Sequence, residues 1–404
     1  MRSRVSKRPT AVVEPRWEQE LLFEDRPPPR PIDSRADTAS TDGPPEQHAE
    51  GKPLAVDQDD ELGDCLWSPS VALDPRHRPQ VWDEPSGTVR REWCRYPQEA
   101  HLLDEYSWRY RRLTVDEIAI IQGFEPSWVD VPGLTRRTRI KAIGDAVPPP
   151  LARAVLEAVD SSYRWEKRTA IEICAGAGGL ASGAHAVRLE HLLLVDQWGP
   201  ACAILRHGKP WGPDRVAHTS VKEFDFAPFR GCVGLLSGGP PCQPWSQGGK
   251  GLGVDDPRDL LAWIHVVVGV LAPEVFVFEN VPGLGNEQNA KYLRVVLERL
   301  RRPRGEAGPR YGVVAGLLNA ADYGVPQLRR RIFILGFRDA PAALAYRVFD
   351  RIRASATHRD PAVPHAVRRR WVTLRGALGA RPDPGGWRRW VNLPNEPPQG
   401  NAHR

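Results

Sequence analysis

The sequence predicts an α/β fold built on a mostly parallel, doubly wound sheet. Three observations carry this expectation. From Arg168 onward, short β-rich runs alternate with apolar helical stretches. Those runs end in glycine-rich or polar loops, which places any chemistry at the carboxyl edge of the sheet. The chain of 404 residues is 41% hydrophobic and 26% charged, enough apolar material for a sizeable core.

The elements follow in order. Residues 1–60 hold RPPPRP and TDGPPEQ, few aromatics and no sustained periodicity, and are expected to be a disordered tail. At Arg112 the pattern changes. In LTVDEIAIIQGF, Thr114 is a good N-cap and Glu117 completes a capping box. Ile118, Ile121 and, beyond the helix, Phe124 give an apolar face, and Gly123 is a natural C-cap. In IGDAVPPPLARAVLEAV the prolines can start a helix but not continue through one. Leu151, Val155, Leu156 and Val159 then form one apolar stripe. TAIEICA is a strand, GAGG a loop and LASGAHAV a helix. HLLLVD and VGLLSGG are the next strands, and the helix LLAWIHVVVGVL leads into the strand EVFVFEN. YLRVVLERLRR is helical and RRIFILGF is a late strand.

Several classes are excluded. No run of about 18 apolar residues exists, so no membrane-spanning helix is expected. MRSRVSKRPTAVVEPRW has no apolar segment behind its basic residues and does not read as a secretory signal. The six cysteines are never spaced as CxxC, which argues against a disulfide framework and a zinc site. No metal and a cytoplasmic location are therefore expected. The net charge of +6 is uneven: residues 291–404 carry 23 Lys and Arg against 8 Asp and Glu, and the rest of the chain is acidic. A basic third is the footprint of a polyanion partner, although a solvated arginine face fits the same count.

Four constellations carry chemistry. In Glu172-Ile-Cys-Ala-Gly-Ala-Gly-Gly179, glycines between strand and helix let a ligand approach backbone at a helix N-terminus. Asp196, at the end of the next strand, stands where a carboxylate would grip ribose hydroxyls. A plain tight turn is the competing reading. Ser237-Gly-Gly-Pro-Pro-Cys-Gln-Pro-Trp-Ser246 puts the Cys242 thiol in a proline-stiffened loop after a buried strand; an inert buried cysteine is the alternative. Glu279 ends the otherwise apolar strand VFVF, where burial would raise its pKa; an exposed strand-end carboxylate is the alternative. Arg329 and Arg331 alternate into a strand and so share a face, fit for a phosphate or a carbonyl, or for a solvated patch.

Together AGAGG, GGPPCQPWS, FENVPGL and PQLRRRIFILG resemble the DNA (cytosine-5)-methyltransferase family. RRLTVDEIAIIQGF and IGDAVPPPLARAV look like that family's closing motifs, and the likeness spans roughly residues 75–340. In most members these two segments come last; here they precede the glycine loop, so the chain resembles a circularly permuted member. Permutation is cheap where the termini of a domain lie close together.

The resemblance implies a Rossmann-like S-adenosylmethionine-dependent fold and double-stranded DNA as partner. It implies that the Cys242 thiolate attacks cytosine C6, that Glu279 contacts N3 and the exocyclic amine, and that Arg329 or Arg331 holds the C2 carbonyl. Cofactor contacts are implied for Ala175, Gly176, Gly178, Gly179, Asp196, Gln197, Gly239, Pro241, Asp145 and Val147. DNA contacts are implied for Gln243, Ser246, Gln247, Lys250, Gln327 and Arg330, with the stretch from Gln247 to Gly253 closing behind a flipped-out base.

Three departures stand out. Asp145 replaces the family's usual asparagine near the cofactor's methionine end. Thr219-Ser220-Val221 replaces the usual Gly-Asp-Ile, and Asp225 comes late for that role. The large variable recognition region is missing between RRRIFILG and the chain's end, where THRDPAVPHAVRRRWVTLRGALG resembles the family's linker. The expected organisation is a tail (1–60), part of a recognition region (61–110), a permuted catalytic domain (111–340) and a basic linker or partial recognition region (341–404). Recognition is expected to be minimal or completed by a second polypeptide. A restriction–modification setting in a bacterium, phage or nucleoid fits this reading. A tRNA cytosine methyltransferase and a catalytically silent DNA-binding regulatory paralogue remain the alternatives.

Overall fold

The computed structural model describes residues 79–91, 93, 97–104, 109–241, 259–364, 367–379 and 391–392. The expected N-terminal tail and the loop from Cys242 to Arg258 lie outside them.

The chain opens with strands β1 (Gln80–Val81), β2 (His101–Asp104) and β3 (Arg109–Arg112), then helices α1 (Val115–Gln122), α2 (Arg136–Asp145) and α3 (Pro149–Asp160). Alternation then sets in with β4 (Thr169–Ile173), α4 (Gly179–Ala186), β5 (Glu190–Asp196), α5 (Gly199–Arg206), β6 (Val216–His218) and β7 (Leu235–Gly238). It continues through α6 (Leu260–Leu271), β8 (Val275–Asn280), α7 (Ala290–Arg301), β9 (Pro303–Glu306), β10 (Tyr311–Asn319), β11 (Arg330–Arg338) and α8 (Ala342–Ala354). Short pieces close the described chain: β12 (His358–Arg359), β13 (Arg369–Arg370), α9 (Leu374–Leu378) and β14 (Val391–Asn392).

The main sheet has seven strands in the order β10-β11-β8-β7-β4-β5-β6. From β6 to β8 every pairing is parallel; β11 runs antiparallel to both of its neighbours. The sheet is the expected mostly parallel, doubly wound one. Its central strands are buried on both faces, which is why VFVFEN and LLSG read as continuous apolar runs rather than alternating ones. Successive side chains still sort to opposite faces. Ile171, Ile173, Phe276 and Phe278 join α6 and α7 in one core. Ala170, Val275, Val277 and Phe333 join α3, α4 and α8 in another.

Strand β10 escapes the sequence reading because YGVVAGLLN carries two glycines, which are poor strand formers. One of them has a packing reason. A Cβ on Gly316 would lie 2.3 Å from the Phe349 ring, so α8 can only approach β10 over a bare backbone. The boundary expected at residue 340 also falls inside a packed layer. Ala345, Val348, Phe349 and Ile352 of α8 are fully buried against the sheet.

The N-terminal helices form a third core with α9, in which Ile118, Ile121, Ile140 and Ile143 meet Leu374 and Leu378. The capping box on α1 is formed as expected, with Thr114 and Glu117 bonding reciprocally and Gly123 at φ +88°. Glu117 also takes a two-pronged ion pair from Arg111 at 2.7 and 2.8 Å, which locks β3 to α1. A small four-stranded sheet in the order β1-β2-β3-β14 stands beside this core. Its last strand comes from the far end of the chain. Strand β14 and helix α9, both beyond Gly336, complete the N-terminal unit. Arg375 Nε donates to Asp83 Oδ1 at 2.7 Å, and the Leu374 amide donates to the Glu84 carbonyl at 3.0 Å. Among the described residues no helix is long and apolar enough to cross a membrane, and no group of three His, Cys, Asp or Glu side chains could hold a metal.

Gly336 on β11 is as tightly placed as Gly316, since its Cβ would meet the Phe276 ring at 2.1 Å. Gly336→Ala is expected to cost about 1–3 kcal/mol through overpacking. A denaturant melt of the two proteins measures it.

Candidate functional site

The site lies at the carboxyl edge of the main sheet, where β4, β5, β7 and β8 end. After β4 the backbone turns through positive φ at Cys174, Gly176 and Gly178 before entering α4. Asp196, the last residue of β5, accepts from the Gly176 amide through Oδ2 and from the Trp198 amide through Oδ1, both at 2.8 Å. Burial pushes its carboxyl pKa up; those two amides and Lys141 pull it back. An ionised carboxylate has about four lone-pair sites, so two remain for hydroxyl donors. Among the described residues nothing beyond its chain neighbours stands within 4 Å of the place a Gly176 Cβ would occupy, which leaves this side of the loop open to a ligand. Trp128 closes it from the side, its Nε1 donating to the Ala177 carbonyl at 2.7 Å.

The IGDAV segment meets this loop directly. A Cβ on Gly179 would lie 1.9 Å from the Val147 carbonyl oxygen, so only glycine permits the contact. Asp145 is exposed and paired with Lys141 Nζ at 3.0 Å, one helical turn back. Lys141 also lies over the Trp198 ring, 3.5 Å from its centroid. The extra charge that Asp145 introduces is therefore met by a cation. It still pushes Asp196 and Glu279 upward, which places it electrostatically between the two halves of the site. Gln197 is exposed, and its carbonyl lies 3.2 Å from His218 Nε2. Asp225 bonds the Ala227 amide in the loop after β6.

Beneath the glycine loop sits Glu172, to which the sequence reading gave no separate role. It is 1% exposed, and Ser237 Oγ donates to it at 3.3 Å. Burial pushes its carboxyl up to about 8. The signal was present, since a carboxylate in the middle of TAIEI is out of place unless something keeps it there. Burial likewise holds the neighbouring Cys174 thiol in its neutral form.

Glu279 is the penultimate residue of β8 and is buried, 8% exposed. Arg331 reaches it from β11, with Nε 2.8 Å from Oε1. The strand register explains the pairing: Phe333 lies opposite Glu279, so Arg331, two residues away, is the diagonal neighbour on the same face. Burial raises the Glu279 pKa, and the two arginines oppose that rise. The carboxylate overlooks Gly239, whose Cβ would sit 3.4 Å from Oε2. Asn280 Nδ2 donates to the Pro240 carbonyl at 2.9 Å. The root of the Pro-Pro-Cys loop is thus bonded to the residue that follows Glu279. Pro241 is the last described residue of that loop; Cys242, Gln243, Ser246, Gln247 and Lys250 lie outside the described residues.

Two expected contacts need correction. Gln327 was expected to touch DNA, but it is fully buried. Its Oε1 accepts from the Val89 amide at 3.0 Å, and its Nε2 donates to Gln122 Oε1 at 2.6 Å. Arg329, one of two candidates for the base carbonyl, is 1% exposed, and its Nη1 and Nη2 donate to the carbonyls of Val89, Gly144 and Ala146. Of the pair, only Arg331 turns toward Glu279. Arg330 is exposed.

Comparison with known proteins agrees with this geometry. The model of the C-5 cytosine-specific DNA methylase family matches residues 77–161 and 168–364. The chain is 38% identical over 177 residues to the Type II methyltransferase M.AquIA of a Picosynechococcus strain, covering 42% of this chain and 71% of that protein. It is 40% identical over 173 residues to M.NaeI of Lentzea aerocolonigenes, covering 42% and 40%, and 32% identical over 238 residues to M.PspPI of a Psychrobacter strain, covering 55% and 54%. The chain thus spans about half or less of the length of the last two. The family match takes in well over half of the chain, from the small sheet through α8, and the chain belongs to the C-5 cytosine-specific DNA methylases, a family of S-adenosylmethionine-dependent enzymes.

Proposed function

We propose that the chain methylates C5 of cytosine in double-stranded DNA through a covalent adduct with Cys242. The observation that carries this reading is the buried Glu279–Arg331 pair, bonded through Asn280 to the root of the Pro-Pro-Cys loop. A carboxyl group whose pKa is raised by burial is better able to share a proton with a pyrimidine nitrogen than an exposed one. Arg331, beside it, supplies N–H donors for the C2 carbonyl. The Cys242 thiolate adds to C6, and Glu279 and Arg331 stabilise the electron density that this pushes into the ring. S-adenosylmethionine supplies an electrophilic methyl group, which C5 takes. Loss of the C5 proton and expulsion of the thiolate then restore the aromatic ring. The target must leave the duplex first, at a cost of a few kcal/mol.

The cofactor fits the residues present. Gly176 leaves backbone open, and Asp196 keeps acceptor capacity for ribose hydroxyls. Asp145 and Lys141 face the loop with opposite charges, suited to a zwitterionic amino-acid end.

The chain order is that of a circular permutation in this reading. The support is that α3, which precedes β4 in sequence, packs beside α4 in the sheet's core, and that the two ends of the described chain pair in one small sheet. That small sheet is the part of the molecule available for target recognition, with a second polypeptide completing it. A cytoplasmic location belongs to the same reading.

Three outcomes are expected. Tritiated methyl from S-adenosylmethionine enters unmethylated duplex DNA, and Cys242→Ser abolishes it; a duplex carrying 5-fluorocytosine is trapped covalently by the wild type alone. Incorporation into tRNA rather than DNA would overturn the substrate. Cofactor binding without transfer assigns recognition to a missing polypeptide if a co-expressed partner restores transfer, and a regulatory role if it does not. Glu279→Gln lowers kcat by about 10²–10⁴-fold while the protein still binds S-adenosylhomocysteine.

The third concerns Glu172, whose folded pKa is about 8 against an ordinary 4.5. Between those values the folded protein holds a proton that the unfolded chain has released. The contribution is full below the lower value and is lost as pH rises toward the upper one. Glu172→Gln is therefore expected to flatten the loss of stability between about pH 5 and 8. Melting curves across that range read it, and an unchanged slope would show that Glu172 is ionised in the folded state.

A further inference from the structure

We infer that Arg329 is a positioning residue which sets one wall of the cofactor pocket against the Glu279–Arg331 pair. The inference rests on the proposed reading for what the two pockets bind, but its geometry stands by itself.

Helix α2 ends at Asp145, and its last carbonyls have no partner within the helix. Arg329 supplies the missing donors from another part of the fold. Its Nη2 donates to the Gly144 carbonyl at 2.7 Å and to the Ala146 carbonyl at 3.0 Å. Its Nη1 donates to the Val89 carbonyl at 2.8 Å. A buried cation at a helix C-terminus also meets the negative end of the helix dipole. The guanidinium is 1% exposed, and its Nε, also buried, has no partner among the described residues. The group therefore holds this place without full satisfaction of its donors.

What it holds is the segment on which the site turns. Immediately beyond Ala146, the Val147 carbonyl presses on Gly179 of the glycine loop. On the other side, the backbone at Arg90 and Arg91 would lie 2.6 Å from a Gly144 Cβ, so residues 89–91 are packed flat on the end of α2. Gln122 Nε2 donates to the Ala146 carbonyl at 2.7 Å and adds a second strut. Two residues along the chain from Arg329, Arg331 enters β11 and pairs with Glu279. One side chain thus fixes the register between residues 144–147, which face the glycine loop, and the strand that carries the base-holding arginine. Lysine cannot replace it, because a single ammonium cannot span three carbonyls in the plane of a guanidinium.

The test compares Arg329→Lys, Gln122→Met, Glu279→Gln and Gly336→Ala with the wild type. Two readouts are used: the Kd for S-adenosylhomocysteine by calorimetry without DNA, and amide hydrogen exchange. Arg329→Lys is expected to weaken S-adenosylhomocysteine about tenfold, a typical coupling between sites. Gln122→Met, which removes the lesser strut, gives a smaller loss in the same direction. Glu279→Gln and the destabilised control Gly336→Ala stay within about twofold of the wild type. Amides 144–147 and 331 lose protection in Arg329→Lys while those of β4 keep theirs. Affinity in Arg329→Lys equal to the wild type, or reduced no more than in Gly336→Ala, overturns the inference. Should the wild type bind no S-adenosylhomocysteine, the cofactor reading fails and exchange decides alone: loss confined to 144–147 and 331 supports the positioning role, and uniform or absent loss overturns it. If Arg329→Lys does not fold, Gln122→Met decides by the same two measurements.

Discussion

Two arginines and a glutamate are taken out of water beside one another where β8 ends and β11 begins, and the surrounding structure is arranged to tolerate them. Burial alone disfavours every one of these charges. Glu279 and Arg331 answer it with each other. Arg329 has no carboxylate at hydrogen-bonding distance among the described residues and takes backbone carbonyls instead. Removing one member of such a set typically costs about 3–5 kcal/mol, because the others are left uncompensated. The cluster therefore binds β8, β11, α2 and the segment around Val89 into one unit. It also leaves Arg331, and not Arg329, paired with Glu279.

The glycine loop depends on the same unit from the other side. Its turn comes from positive φ at Gly176 and Gly178, but its position comes from the Val147 carbonyl against Gly179. That carbonyl belongs to a segment capped by Arg329 and Gln122. The glycine loop and the Glu279–Arg331 pair lie far apart in sequence, yet one stretch of four residues, 144–147, touches the first and is bonded to the approach of the second. Asp145 lies in this stretch, and its charge is felt by both Asp196 and Glu279. A substitution there is therefore never local to one pocket.

Much of this was legible in the sequence, for a physical reason. Parallel strands buried on both faces must be runs of apolar residues, and loops at their ends must be glycine-rich to admit a ligand, so β4, β5, β7, β8 and β11 announce themselves. The capping box at Thr114 and the stripe on α3 follow from helix geometry and are found as expected. Strand β10 was hidden because Gly316 answers to the Phe349 ring and not to strand propensity. Helix α8 was assigned to a linker because only the sheet's outer face tells that its apolar side is needed. The roles of Arg329 and Gln327 were misread for another reason. A strand pattern gives the face a side chain takes, but not whether that face meets solvent, ligand or another segment's carbonyls. Those carbonyls come from residues some 180–240 positions away.

The same point bears on the order of the segments. Among the contacts that join α1–α3 to the sheet are Gln327 to Gln122, Arg329 to the end of α2, and Gly179 to Val147. None requires that these helices follow β11 in the chain. What is required is that the helical unit be stable enough to present its carbonyls in the right place. It is given its own core of Ile118, Ile121, Ile140 and Ile143, a doubly bonded Arg111–Glu117 pair and a last strand donated from residues 391–392. That donated strand makes the unit's completion depend on the chain's far end. The small sheet joins strands from both ends of the described chain. On the permuted order proposed above, the catalytic edge asks only that those carbonyls be presented in place, not that a particular chain order present them.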